Sequence, residues 1–268
     1  MTTNKISIGI LGKGVIGSAI FKAYKSKKFT VKFHDIKYQT SLTDIIKSNL
    51  IFVCLPTPMN KNGSCNINII NKEIKKLDSL SYKGIVCIKS TVPPGTSDNL
   101  KKKYPLLKIA NCPEFLRERS AYKDFINYGL CIIGSENRAD IAFIKKIHKP
   151  FTNKFKIVSL TESELIKYYH NTFNALRIVF ANSFFKVSSS FNSDYNKILN
   201  SFCERNNITD EYLKSSKNLQ GFGGYCLPKD TNAFNYVVKY KKLNLGIWET
   251  IIKENKKFKT TVFPGMRK

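Results

Sequence analysis

Histidine is the scarcest reactive residue in this chain, with three copies (34, 148 and 170) among 268 residues. That supply excludes a histidine-built metal centre, and no metal is expected. Cysteine occurs seven times, at 54, 65, 87, 112, 131, 203 and 226. The number is odd and no C-x-x-C pair exists, which excludes a disulfide scaffold and a zinc ribbon and makes the reducing cytoplasm the expected compartment. No apolar run reaches the ~18 residues of a membrane span. The apolar start Ile6–Leu11 stops at glycine without a small-residue cleavage site, so neither a membrane partner nor a secretory leader is expected. Arginine is also sparse, six copies against 39 lysines in a net charge of +26. A phosphate-reading surface favours the arginine fork. The charge is spread, with 28 basic and 10 acidic groups in residues 1–160 and 17 and 9 thereafter. This argues for a general attraction to small anions and against nucleic acid.

What is present reads as a folded protein of two modest domains: 30.6 kDa, 42% hydrophobic and 24% charged. Short β-rich runs occur at Ile6–Leu11, Thr30–His34, Leu50–Leu55, Ile85–Lys89, Leu107–Asn111, Leu130–Ile133 and Lys156–Ser159. Helical spacing fills the gaps at Ile16–Tyr24, Leu42–Lys47, Ile67–Leu80 and Ala139–His148. Strands alternating with helices predict an α/β fold, a Rossmann-type doubly wound parallel sheet. After residue 160 the pattern turns helical, at Glu162–Ser189, Tyr195–Arg205, Thr231–Lys241 and Ile247–Phe258. A mainly α-helical second domain, 161–268, is expected to follow a dinucleotide-binding domain, 1–160.

Gly12, Lys13, Gly14, Val15, Ile16 and Gly17 spell G-x-G-x-x-G between a predicted strand and a predicted helix. The first glycine permits a tight turn, the second lets backbone approach a pyrophosphate, and the third lets helix pack on strand. Asp35 ends the second strand, where a carboxylate binds a ribose diol and repels a 2′-phosphate, so NAD is the expected cofactor. Leu55, Pro56, Thr57 and Pro58 end the third strand, and Ser90 and Thr91 open the Ser-Thr-Val-Pro-Pro-Gly segment after the fourth. Both lie on the carboxyl edge of the sheet, where open α/β folds bind ligands.

Three further segments carry chemistry. Pro113-Glu114-Phe115-Leu116-Arg117-Glu118 follows a strand, and its carboxylates, four residues apart, share a face if the segment is helical. Either could serve as ligand or base, or as a solvated helix face. Lys167 and Asn171 stand one turn apart on the long predicted helix, able to hold a substrate alkoxide. His170 faces away and reads as structural. Gly221-Phe222-Gly223-Gly224-Tyr225-Cys226-Leu227-Pro228-Lys229-Asp230 is the most telling stretch. Its glycines let amides wrap a ligand, and Pro228 as first helical residue would set Cys226 at a helix N-terminus, where thiolate is favoured. Asp230 would point back toward the cleft. Cys226 is the candidate nucleophile; the other six thiols mostly read as core residues.

In this order, these segments resemble the UDP-glucose/GDP-mannose dehydrogenase family, essentially over the whole chain, with P-E-F-L-R-E and F-G-G-x-C-L-P-K-D the most specific matches. The resemblance implies oxidation of the C6 alcohol of a nucleotide sugar to a carboxylate with two NAD and no metal, UDP-glucose being favoured by P-E-F-L-R-E. It implies that Lys167, Asn171 and an Asp230-held water stabilise the oxyanion, and that Cys226 forms a thiohemiacetal and then a thioester. Glu114 would activate the hydrolytic water with Thr91 positioning it, and Glu118 would lie at the nicotinamide end. Phe115, Leu116 and Arg117 would line the sugar, and the loop from Lys217 through Phe222, Gly223 and Gly224 would wrap it. A homodimer through the helix around Ile247–Phe258 is also implied. Family members continue well beyond the equivalent of Lys268 into a UDP-binding domain, expected to be absent here. They also carry an arginine sixteen residues before the cysteine, where this chain has Asp210; Lys214 is the candidate substitute.

Two other readings fit. A β-hydroxyacid dehydrogenase of the 6-phosphogluconate type has the same two domains and a Lys-x-x-x-Asn helix, transfers one hydride and needs no cysteine. A non-catalytic NAD-binding scaffold or basic interaction module needs no turnover at all.

Overall fold

The computed structural model describes residues 6–127, 129–206 and 208–259. Two compact units are present. The first runs from residue 6 to Pro58 and from Asn66 to Lys167; the second joins Met59–Cys65 to Tyr168 and the residues after it.

The first unit is a seven-stranded sheet: β1 (Ser7–Leu11), β2 (Thr30–His34), β3 (Leu50–Val53), β4 (Ile85–Ile88), β5 (Lys108–Asn111), β6 (Cys131–Gly134) and β7 (Phe155–Val158). The order is β2-β1-β3-β4-β5-β6-β7. Its helices are α1 (Val15–Ser26), α2 (Asn68–Ser79), α3 (Thr96–Lys103), α4 (Ala121–Ile126) and α5 (Arg138–His148). Side chains alternate along each strand. Ile8, Ile10, Phe52 and Cys87 join α1, α4 and α5 in one core, while Ile51, Val53, Val86 and Ile88 join α2 and α3 in another. With both faces covered, the strands read as continuous apolar runs, as a doubly wound sheet requires. The strand order turns between β1 and β3, which is the switch point of such a sheet.

The sheet departs from the sequence reading in three places. β5 and β6 are antiparallel, joined through Asn111 and Gly134, where a parallel pair was expected. Leu42–Lys47, expected as a helix, is a single 3₁₀ turn at Leu42–Asp44, capped reciprocally by Ser41 and Asp44. α3 and α4 escape apolar periodicity: α3 is Thr-Ser-Asp-Asn-Leu-Lys-Lys-Lys and buries one aliphatic side chain, Leu100.

α6 (Leu160–Ser190) has no glycine or proline over 31 residues, and the division between the units falls within it, after Lys167. It stops where Asn192 turns left-handed (φ 55°) and Ser193 N–H bonds back to Ser188 C=O at 2.9 Å. The second unit continues with α7 (Tyr195–Asn206), α8 (Cys226–Tyr240) and α9 (Ile247–Asn255). Ala175, Val179, Phe222 and Ile251 form one of its cores, and Ala181, Tyr195, Leu199 and Leu213 another. Among the described residues no helix is long and apolar enough to cross a membrane.

Candidate active site

The glycine loop after β1 has the three properties its spacing predicts. Gly12 sits at φ +90°, and a Cβ there would lie 2.7 Å from Cys54 O. A Cβ on Gly17 would lie 2.0 Å from Gly12 O, so helix and turn touch there. Around Gly14 there is no atom within 4 Å of the Cβ position, which leaves open space beside the N-terminus of α1, the kind of place that accepts an anion. Asp35, just beyond β2, accepts Lys13 N–H at 2.7 Å and Lys37 N–H at 2.8 Å, which orients its carboxylate at the loop. The Lys13 ammonium lies 3.7 Å over the Phe33 ring, flanked by Phe21 and Tyr38. Val15 is exposed and Ile16 packs on the core. The loops after β3 and β4 are tied together: Ser90 Oγ donates to Leu55 O at 2.7 Å and Thr57 Oγ1 to Thr91 O at 2.9 Å. Pro56 remains exposed beside them. An open glycine turn, an oriented acidic residue and two linked strand-end loops fit a dinucleotide.

The β5 end brings two predicted residues together. Lys167 Nζ donates to Glu114 O at 2.6 Å and lies 3.4 Å from Glu114 Oε1, with both side chains buried. Leu116 N–H donates to Glu114 Oε2 at 2.5 Å, and Phe115 lies beneath the ammonium, its ring centroid 5.3 Å away. Pro113–Arg117 is not helical, so Glu114 and Glu118 do not share a helix face as expected; Glu118 opens a 3₁₀ turn. Arg117, expected on the sugar, makes a two-pronged pair with Asp124 at 2.8 and 3.1 Å. That guanidinium holds the Asp124 carboxyl down at about 2.

In the second unit, α8 starts at Cys226. Pro228 is therefore the third helical residue and not the first, a position tolerated because first-turn N–H groups have no partner within the helix. Gly221 (φ 65°) and Gly224 (φ 75°) supply the left-handed turns before it. Cys226 is exposed, whereas burial pushes Cys54 up to about 12, and a bond with Cys112 together with burial pushes Cys131 equally far. One turn on, Asp230 is buried, accepting from Asn171 Nδ2 at 2.5 Å and pairing with Lys229. Burial pulls the Lys229 ammonium down, but Asp230, Cys65 and Cys226 outweigh it and leave its pKa raised. Phe222, expected against the sugar, packs into the core, and Asn255 brackets its backbone at 2.7 and 3.0 Å. Gly223 and Gly224 remain part-exposed. Lys214 pairs with Asp210 at 2.9 Å on the surface.

Three charged groups escaped the sequence reading. Glu164 is buried and bonded to Gly95 and Ser97. Its spacing from Lys167 and Asn171, i, i+3 and i+7, was the available signal. Lys89 is buried at the end of β4, 5.5 Å over the Phe52 ring. Lys229, next to Asp230, lies close enough to Cys226 and Cys65 for their charges to help raise its own pKa.

This fold and glycine loop define a dinucleotide-binding protein of the Rossmann type. The NAD binding domain of the UDP-glucose/GDP-mannose dehydrogenase family matches residues 32–152, and the central domain of that family matches residues 161–257. The chain belongs to the UDP-glucose/GDP-mannose dehydrogenase family. It is 29% identical to a UDP-glucose 6-dehydrogenase of Rickettsia prowazekii over 96% of this chain and 60% of that one. With UDP-glucose 6-dehydrogenase TuaD of Bacillus subtilis the figures are 31%, 78% and 47%. The chain thus spans about 60% or less of these relatives. Among solved structures, a UDP-glucose dehydrogenase of Pyrobaculum islandicum has a TM-score of 0.84 at 22% identity, covering 96% of this chain and 69% of that one. A 3-hydroxyisobutyrate dehydrogenase of Mycobacterium tuberculosis has 0.74 at 10%, covering 94% and 93%. At these identities the likeness is one of fold.

Proposed function

We propose that this chain carries out the NAD-dependent four-electron oxidation of the C6 alcohol of a nucleotide sugar, UDP-glucose to UDP-glucuronate, through a covalent bond to Cys226. The observation that carries the reading is an exposed thiol on the first residue of α8, with Lys229 and the buried Asp230–Asn171 pair within one turn. Bound NAD would accept one hydride in each oxidation. In the first, the hydroxyl proton leaves to a water held on Asp230 while Lys167 and Asn171 hold the alkoxide oxygen. The helix dipole and Lys229 favour thiolate at Cys226. The thiolate adds to the aldehyde carbon, forming C–S and placing charge on oxygen; loss of hydride from that carbon leaves a thioester. Glu114, already accepting Leu116 N–H and facing Lys167, takes a proton from water as the water attacks, and the C–S bond breaks to return thiolate. Thr91 helps to place that water, and Glu118 lies toward the nicotinamide.

The β-hydroxyacid dehydrogenase reading keeps the fold and loses the sulfur. Product counting decides between them: two NADH per sugar are expected, and one would favour the rival. Cys226→Ser should block acid formation while Asp35→Ala mainly weakens NAD; full uronate production by the serine variant would refute the thioester. Tight NAD binding without turnover on any nucleotide sugar would instead support the non-catalytic scaffold.

The reading includes the cytoplasm and a homodimer. On the segment Ile247–Phe258, Ile251 and Phe258 are buried and Ile247 is exposed. Tyr169, Phe173, Phe180, Phe184 and Val187 form an exposed stripe with near-heptad spacing on α6, continued by Phe191 just past its end, and this is the surface that supports self-association. Light scattering on Phe180→Asp/Phe184→Asp should report a monomer.

A further inference from the structure

The first turns of α6 bind the strand-end loops of the first unit through groups the chemistry above does not use. Thr161 Oγ1 donates to Asp98 Oδ2 at 2.6 Å, and Ser163 Oγ to Asn111 Oδ1 at 2.9 Å. Between them in effect is Glu164, 2% exposed. Its Oε2 accepts Gly95 N–H at 2.6 Å and its Oε1 accepts Ser97 N–H at 2.8 Å. These amides belong to the start of α3, whose first N–H groups have no partner within the helix. Gly95, at φ +90°, closes the segment that begins at Ser90. That segment is held at both ends: Ser90 and Thr91 bond to the β3 loop, and Gly95 bonds to Glu164. A buried carboxylate is an expensive cap where a hydroxyl or amide would serve. The charged group acting on it is Asp98, of the same sign; its other neighbours are the amides of Gly95 and Ser97 and the Ser97 hydroxyl.

We propose that Glu164 is a positioning residue for the cofactor loop: it fixes where Ser90 and Thr91 stand, and NAD binding is linked to the proton it carries. The inference rests on the placement of Ser90 and Thr91 at the cofactor given above. Burial pushes the Glu164 carboxyl up to about 7, against the lowering effect of its bonds with Ser97 and Gly95, and Asp98 adds to the rise. Releasing the loop opens the carboxylate to water and returns it toward the ordinary glutamate range near 4.3. Docking therefore takes up a proton between these values, so the docked loop is favoured as pH falls through about 7. A cofactor that needs the docked loop binds more tightly at pH 6 than at pH 8, by at most about tenfold for one such proton.

The experiment is calorimetric titration of the whole chain with NAD at pH 6, 7 and 8, at pH 7 in two buffers of different ionisation enthalpy. Wild type is expected to lose affinity several-fold from pH 6 to pH 8 and to take up a fraction of a proton at pH 7. Glu164→Gln keeps the size and one acceptor but has no proton to exchange, and should lack that component of both readouts. Contributions from elsewhere in the cofactor site are common to the two proteins and cancel in the comparison. A purely structural cap would alter stability and leave the proton count unchanged. Identical profiles in the two proteins, or no proton uptake by wild type, would overturn the linkage alone. Absence of NAD binding by wild type at every pH would overturn the reading of the cofactor site together with it.

Discussion

Alanine at Gly17 and alanine at Gly14 should fail in opposite ways, although the residues share one loop. At Gly17 the added carbon would lie 2.0 Å from Gly12 O and 3.1 Å from Ile10 Cγ2. The close partner is backbone, and Gly12 is itself held by its N–H bond to His34 O at 2.9 Å. Relief requires α1 to lift from β1, exposing part of the core that Ile20, Ala23 and Tyr24 make with the sheet. Overpacking of this kind costs about 3 kcal/mol, at the upper end of its usual range. At Gly14 the added carbon meets nothing within 4 Å, and the backbone there (φ −70°) suits any residue. Stability should change by less than about 1 kcal/mol, a small capping loss being offset by reduced freedom of the unfolded chain. The methyl group instead occupies the approach of the pyrophosphate, and NAD should bind about tenfold or more weakly, about 1.4 kcal/mol. Urea unfolding and NAD titration on both variants make the test. A Gly17→Ala protein as stable as wild type, or a Gly14→Ala protein with unchanged NAD affinity, would refute the reasoning about this loop.

Other perturbations separate the remaining interactions. Asn171→Ala leaves the buried Asp230 carboxylate one partner short and should cost about 2 kcal/mol in urea unfolding; a loss below about 0.5 kcal/mol would show that water replaces the amide. Because Glu164 is raised to about 7 when folded, its ionisation opposes folding: its contribution is most favourable below the unfolded value and declines as pH rises to about 7. Glu164→Gln should therefore gain on wild type by about 3 kcal/mol between pH 4 and pH 8, as an order of magnitude; a constant difference across that range would count against the shift. Asp124, held at about 2, has the opposite sign: its stabilisation is present above the ordinary aspartate range and lost as pH falls toward 2. The Arg117 partner is exposed, so the effect on stability should stay below about 1 kcal/mol. Arg117→Ala should return the carboxyl toward its ordinary range by NMR titration, and an unmoved titration would assign the shift elsewhere.

Much of the local geometry of the candidate site was legible because its signals are local. The glycine loop, Asp35 and the cysteine helix start each follow from residues a few positions apart, and the strands they terminate are short apolar runs. α3 was not legible, since a helix that buries one leucine carries almost no periodicity. Phe222 misled for a related reason: a phenylalanine among glycines reads as a ligand contact, but Ala175, Val179 and Ile251 cover it. The partner of Arg117, Asp124 seven residues on, was not legible either, since any nearby carboxylate could have taken that guanidinium.

The amino-acid sequence by itself determined where this chain turns, where its helices start and which residue types stand at each strand end, because steric limits on φ and ψ and the need to bury apolar faces act over short stretches. Tertiary structure alone decided the partners. Glu164 meets Gly95 across 69 residues, Lys167 meets Glu114 across 53 and Asn171 meets Asp230 across 59. No local pattern encodes such pairs: a charge becomes a cap, a counter-ion or a solvated side chain according to what the folded chain removes from water around it.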